Sequence, residues 1–131
     1  QERVEKYADL FDMSDKLTSK ISSYSHGMKQ KISIISSLVH DPEVWILDEP
    51  MTGLDPKSGY ELKKIMAERA AEGKTVFFSS HVLDVVEKIC SKVAILDKGK
   101  LVTVCDIKEL QEKRSDLSLE QLFLTLTGVK E

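Results

Sequence analysis

Apolar residues recur along this chain with helical spacing in some segments and in short continuous runs in others, and the two patterns alternate. Helical spacing predicts a helix over about residues 2–11, a second helix that ends before Pro42, and a third that begins after Asp55 and ends at Gly73. A fourth helical pattern covers about residues 82–89. The chain is therefore expected to contain several helices separated by other structure.

Short runs that are apolar or rich in strand-favouring residues have the length of strands. They cover residues 44–47, 75–79, 93–96 and 101–104. The first run has no polar residue, which is typical of a parallel strand that is covered on both faces. Lys98-Gly99 predicts a tight turn between the last two strands. Strands that alternate with helices predict an α/β fold.

The last part of the chain carries two helix-start signals. Asp106 with Glu109, and Ser118 with Gln121, have the spacing of capping boxes and predict two short closing helices. The charged segment 111–116 between them carries the weakest ordering signal and is expected to be a link.

Composition limits the classes of function. The chain has 131 residues, 41% of them hydrophobic, and 19 Lys and Arg against 22 Asp and Glu, so its net charge is −3. Charges of both signs are interspersed, and no basic patch indicates a nucleic-acid partner. No apolar run approaches the roughly 20 residues that cross a bilayer. If a membrane is involved, a partner is expected to supply the contact.

Three stretches carry groups suited to phosphate and metal chemistry. Gly27 begins the second helix beside the Ser25 hydroxyl, and a helix start with free N–H groups can hold a phosphate, although the same residues also form an ordinary helix cap. Asp48 and Glu49 end the first strand, at the carboxyl edge where open sheets bind ligands. His81 follows the second strand and is expected at the same edge.

The order of these parts resembles the ATP-binding-cassette (ABC) ATPases. The resemblance is carried by Tyr-Ser-His-Gly-Met at residues 24–28, Val-Trp-Ile-Leu-Asp-Glu-Pro at 44–50, Thr-Gly-Leu-Asp at 52–55 and His81. They resemble the family's signature motif, Walker B strand, D-loop and switch histidine. Tyr24, His26 and Met28 depart from the usual Leu-Ser-Gly-Gly-Gln signature, while Ser25 and Gly27 match it.

The resemblance implies a role for each matching residue. Asp48 would organise Mg²⁺, Glu49 would be the general base for the attacking water, and His81 would sense the γ-phosphate of ATP. Ser25, Gly27 and Asp55 would act in trans, on the nucleotide held by a second nucleotide-binding domain. Asp55 is equally suited to cap the third helix, and both roles are compatible.

The phosphate-binding loop of such an ATPase is not found in the sequence. Gly73-Lys74-Thr75 imitates its end, but Glu68 occupies the first glycine position and the local order is helix to strand. The resemblance therefore implies an incomplete P-loop NTPase (RecA-type) core with part of the ABC helical subdomain, lacking the phosphate-loop strand. The chain is expected to be the downstream piece of a longer ATPase and to be inactive alone. Two strand edges beside the missing strand would then pair with another chain or with a strand that slides into the gap.

The expected organisation is one partial nucleotide-binding domain over residues 1–131. Residues 1–41 would hold part of the helical subdomain and the signature helix, 42–105 the Walker B, D-loop and switch-histidine core, and 106–131 the C-terminal helices. The implied function is an ATPase subunit, exporter-type from its closing segment, that joins permease subunits at the cytoplasmic face of the membrane. The alternative is a non-catalytic interaction module with an ATPase-like dimer surface.

Overall fold

A computed structural model describes residues 1–113 and 118–128 of the chain. In these residues the helices are α1 Glu2–Leu10, α2 His26–Leu38, α3 Pro56–Ala71, α4 Leu83–Ile89, α5 Ile107–Lys113 and α6 Leu119–Thr127. The strands are β1 Val44–Leu47, β2 Thr75–Phe78, β3 Lys92–Asp97 and β4 Lys100–Asp106. Short 3₁₀ turns at Ser14–Lys16 and Ile21–Ser23 lie in the polar stretch before α2. The α/β alternation predicted from the sequence is confirmed.

Local signals account for most helix boundaries. Ser25 caps α2, Asp55 caps α3 with Pro56 in its first turn, and Ser118 with Gln121 forms a reciprocal capping box at α6. The structure describes only part of the predicted link at 111–116. Residues 111–113 belong to α5, and residues 114–116 lie outside the described residues. Thus α5 extends further than its sequence pattern indicated.

The chain divides into two compact units, Gln1–Ser80 and His81–Glu131. In the first unit β1 and β2 pair in parallel, with Trp45 opposite Val76 and Leu47 opposite Phe78. The face of the sheet that carries these four residues packs on one hydrophobic core shared with α1, α2 and α3. The buried core residues are Ala8, Phe11, Met13, Tyr24, Ile34, Ile35, Leu38, Trp45, Leu62, Ile65 and Met66.

The other face of the β1–β2 sheet is open. Val44, Ile46 and Phe77 are 55%, 69% and 62% exposed. The prediction that β1 is covered on both faces is therefore wrong for this chain, because no element of residues 1–80 packs on that side. A purely apolar run indicates that both faces of a strand are suited to apolar contacts. In this chain only one face of β1 is packed.

A polar clamp fixes the start of β1 to the end of α3. Arg69, only 4% exposed, lies over the Trp45 ring at 5.7 Å, donates to Asp41 Oδ1 at 2.8 Å and donates to the Pro42 carbonyl. Lys74 Nζ reaches the same Asp41 oxygen at 2.6 Å. The hydrogen bonds from Lys74 and Arg69 lower the pKa of Asp41 from 3.8 to about 2. Lys74, the lysine of the imitation phosphate loop, thus has a structural partner.

In the second unit β3 and β4 form an antiparallel hairpin around the Lys98-Gly99 turn, with a bulge between Ile95 and Leu96. The buried apolar side chains described in this unit are Val86, Ile95, Ile107 and Leu119. Each of the two sheets has two strands in the described residues. The predicted alternative in which another strand of the chain pairs with the free edge of β2 or β3 is therefore not seen there. Pairing of these edges with another chain stays a prediction. In the part of the chain described, no helix is long and apolar enough to cross a membrane.

Candidate functional site

Two carboxylates lie at the edge where β1 and β2 end. The Ser79 N–H donates to the Leu47 carbonyl at 3.0 Å, which continues the strand pairing one residue beyond β2. The Ser79 hydroxyl then accepts from the Glu49 N–H at 2.9 Å and donates to Asp48 Oδ1 at 2.5 Å. Asp48 is exposed and Glu49 is half-buried. The predicted placement of both carboxylates at the carboxyl edge of the sheet is confirmed.

Ser79 is a site residue that the sequence reasoning missed. Its signal was present in the sequence, since it is the first polar residue after the neighbouring parallel strand. One hydroxyl contacts both residues of the acidic pair, so Ser79 fixes the backbone at Glu49 while it holds the Asp48 carboxylate.

Glu49 has a left-handed backbone, with φ of 44°. This conformation is uncommon for a residue with a Cβ and turns the chain sharply after β1. The Thr52 N–H closes the turn by donating to the Glu49 carbonyl at 3.1 Å. The turn and Ser79 therefore fix the backbone from which the Glu49 side chain projects.

The start of α2 is capped from within. The Ser25 hydroxyl accepts from the Met28 N–H at 3.2 Å, and Ser25 itself is exposed. The helix cap that the sequence allowed as the ordinary interpretation of Ser25 is thus present. An exposed hydroxyl at a positive helix end is also open to an anion from solvent.

Gly27 brings the start of α2 against the turn that carries Asp55. A Cβ added at Gly27 would lie 2.8 Å from the Gly53 carbonyl oxygen, closer than side-chain carbons approach backbone. Gly53 has φ of 76°, and a Cβ there would meet the His26 ring at 2.8 Å. Glycine is therefore needed at position 27, where a side chain would meet the Gly53 backbone, and is favoured at position 53 by the left-handed φ. Two motifs 26 residues apart form one surface.

Asp55 has two sets of partners. Its Oδ1 accepts from the Ser58 N–H at 3.0 Å, and its Oδ2 accepts from the Ser58 hydroxyl at 2.8 Å and pairs with Lys31 Nζ at 2.7 Å. The Lys31 hydrogen bond, followed by those from Ser58, holds the pKa of Asp55 far below its usual range. The capping role predicted for Asp55 is confirmed, and the carboxylate is ionised at neutral pH.

His81 follows β2 by three residues and opens the second unit, where it is exposed. Its role as a γ-phosphate sensor stays a prediction. His40 is exposed after the end of α2.

The donor set suits a metal ion that takes most of its ligands from outside the protein. Among the described residues, no cluster of three or more His, Cys, Asp or Glu side chains could hold a metal ion. Mg²⁺ commonly takes one or two protein carboxylates and completes its shell with phosphate oxygens and water. The exposed Asp48 carboxylate, oriented by Ser79, fits such a shared shell.

Comparison with known proteins identifies the family. The family model described as ABC transporter matches residues 1–52. An ABC transporter ATP-binding protein of Nostoc sp. is 42% identical over 84% of this chain, which covers 33% of that protein. The bacitracin transport ATP-binding protein BcrA of Enterococcus faecalis is 37% identical over 84% of this chain, which covers 36% of it.

A solved structure described as the ATP-binding subunit of an ABC transporter superposes with a TM-score of 0.88 at 30% identity. It matches 96% of this chain, which covers 53% of that subunit. The chain thus spans about a third to a half of the length of these relatives. The resemblance in the motifs, the family model and the shared fold agree, and the chain belongs to the ABC transporter ATP-binding proteins.

Proposed function

We propose that this chain is the downstream part of an ATP-hydrolysing subunit that drives an ABC transporter. The observation that carries the proposal is the joint fixation of Asp48 and Glu49 by Ser79 at the carboxyl edge of β1 and β2. Phosphoryl transfer needs positioning and charge stabilisation, and an oriented pair of carboxylates supplies both.

Each residue has a proposed part in the reaction. Asp48 would hold Mg²⁺, which would supply charge neutralisation for the phosphates. Glu49 accepts a proton from the attacking water as general base, and His81 contacts the γ-phosphate. Ser25 and Gly27 receive the phosphate of ATP bound to a second nucleotide-binding domain, and Asp55 shapes that dimer contact.

The proposed partners are a second nucleotide-binding domain and transmembrane permease subunits, with the chain at the cytoplasmic face of the membrane. Export is the proposed direction, and it rests on the resemblance of the closing segment at residues 118–128 to exporter-type subunits. We propose the arrangement of one partial domain, with the helical subdomain part at 1–41, the core at 42–105 and the closing helices at 106–131.

The experiment compares two proteins. The 131-residue chain alone should show no ATP turnover and no tight ATP binding, because the sequence contains no phosphate-binding loop. The chain joined to an upstream segment that supplies this loop should turn over ATP, and Glu49→Gln should lower kcat by a factor of 10² or more, roughly the scale of lost general-base catalysis.

Glu43→Gln is the matched control, since Glu43 is an exposed carboxylate just before the same strand. It should leave turnover unchanged. Tight ATP binding by the isolated chain would overturn the claim that it lacks the phosphate loop. Full turnover by Glu49→Gln in the joined protein would overturn the role of Glu49 as general base. Absence of turnover in the joined protein itself would favour the alternative, a non-catalytic interaction module with an ATPase-like dimer surface.

A further inference from the structure

One face of α2 contacts the turn from Asp48 to Asp55 at several points. Gly27, Gln30 and Lys31 lie three and four residues apart and therefore share that face. Gly27 lies against the Gly53 carbonyl, and Lys31 Nζ pairs with Asp55 at 2.7 Å. Between them, Gln30 Nε2 donates to the Pro50 carbonyl at 3.1 Å. The turn is thus held at its middle and at its end by a single helix.

The Gln30 contact is the one nearest to Glu49. It holds the carbonyl of the next residue, Pro50, which is fully buried. Glu49 itself has a left-handed φ. On its amino side, the Glu49 N–H is held by its hydrogen bond to the Ser79 hydroxyl. Gln30 and Ser79 therefore hold the backbone on both sides of the Glu49 side chain.

We propose that Gln30 is a positioning residue for Glu49, which makes the start of α2 and the Glu49 turn move as one body. This inference rests on the proposed function, in which Ser25 and Gly27 contact the partner's nucleotide and Glu49 acts on its own. A phosphate that engages the start of α2 shifts the helix, and Gln30 carries that shift to Pro50 and hence to Glu49. ATP bound at one site thereby sets the geometry at the other.

The test uses the joined protein described above, in which an upstream segment supplies the phosphate-binding loop. Gln30→Met has a similar size and lacks the donor, whereas Gln30→Lys restores a donor of similar reach. Gln30→Met should lower kcat about tenfold or more, with KM for ATP nearly unchanged, because misplaced catalytic groups lose turnover rather than binding. The Hill coefficient for ATP should fall toward 1. Gln30→Lys should recover a large part of kcat.

Lys29→Ala is the matched control, because Lys29 is exposed and lies outside the face shared by Gly27, Gln30 and Lys31. It should leave kcat and the Hill coefficient unchanged. A structural readout on the 131-residue chain completes the test: in Gln30→Met, amide exchange at Thr52, whose N–H bonds the Glu49 carbonyl, should become faster while exchange in α3 stays unchanged.

The outcomes separate the two proposals. If the joined protein shows no ATP turnover, the proposed function fails, and if Glu49→Gln keeps full turnover, the role of Glu49 as general base fails. If Glu49→Gln is inactive but Gln30→Met retains kcat and cooperativity, the positioning role of Gln30 is wrong and the function stands. Equal loss of urea stability and activity in Gln30→Met and Gln30→Lys would also overturn positioning, because it would show a general packing role.

Discussion

The two units of this chain are built differently. Residues 1–80 surround one core that includes Trp45 and Phe11, both nearly inaccessible to water, and the hydrogen bond from Trp45 to Ser37 connects β1 to α2. The described part of the second unit buries Val86, Ile95, Ile107 and Leu119, which lie on four separate elements. Because stability grows with buried apolar surface, we expect the first unit to resist opening more than the second. The acidic pair and the start of α2 both lie in the more tightly packed unit.

The largest effect is expected at Trp45. Trp45→Ala removes an indole that is 1% exposed, that donates to the Ser37 hydroxyl at 2.8 Å and that supports Arg69. The free energy of unfolding should fall by about 3–5 kcal/mol. Ile95→Ala, in a strand with one open face, should cost about 2 kcal/mol. Urea unfolding followed by circular dichroism measures both values.

The wild-type chain offers a sharper form of the same test. Trp45 is the only tryptophan, so its fluorescence reports on the first unit alone. If the units differ as described, circular dichroism should begin to change at lower urea than fluorescence does. Coincident transitions, together with equal costs for Trp45→Ala and Ile95→Ala, would contradict the difference in stability.

The next effect concerns acid. The folded pKa of Asp41 lies at about 2, below its ordinary 3.8, so the unfolded chain binds this proton first as pH falls. The contribution of Asp41 is therefore complete above about pH 4 and is lost between 3.8 and about 2. Asp41→Asn keeps a residue that tolerates the left-handed φ of 53° and should remove this part of the pH dependence.

Urea midpoints between about pH 5 and pH 2 check this expectation. Asp15→Asn is the control, because the Asp15–Lys16 pair is exposed and should contribute little. An acid slope in Asp41→Asn that equals the wild-type slope would show that the clamp does not respond to this carboxylate.

The smallest effect is expected on the open sheet faces. Ile46→Thr in the first unit and Leu101→Thr in the second replace side chains that are 69% and 60% exposed. Threonine has the β-branched shape that strands favour, and both side chains are exposed, so each change should alter the unfolding free energy by no more than about 0.5 kcal/mol. Sedimentation velocity should show less self-association in both variants. A loss above about 1 kcal/mol in either unit would mean that its face is covered in solution.

The sequence predicted well what is decided locally. The bounds of β1, the caps at Ser25, Asp55 and Ser118, and the end of α2 before Pro42 follow from residues within one helical turn of each other. The placement of Asp48 and Glu49 followed from strand topology. The family followed from the order of motifs.

What the sequence did not reveal depends on distant contacts. The approach of Gly27 to Gly53 and the bond from Gln30 to Pro50 join segments 20 or more residues apart, and no spacing rule connects them. Ser79 contacts Glu49 only because two strands lie side by side. The open face of β1 was also missed. An apolar run indicates that a strand can be buried, but it does not indicate whether another element packs on it.

The backbone of Glu49 has an evolutionary consequence. A left-handed residue with a Cβ costs about 1 kcal/mol relative to glycine or asparagine, so either substitution would relieve conformational strain at this position. Selection for thermal tolerance alone would therefore favour replacement of the glutamate at this position. In a directed-evolution experiment that rewards heat resistance alone, Glu49→Gly should be among the recovered changes. Under the proposed function, the same change should disappear when growth depends on ATP hydrolysis.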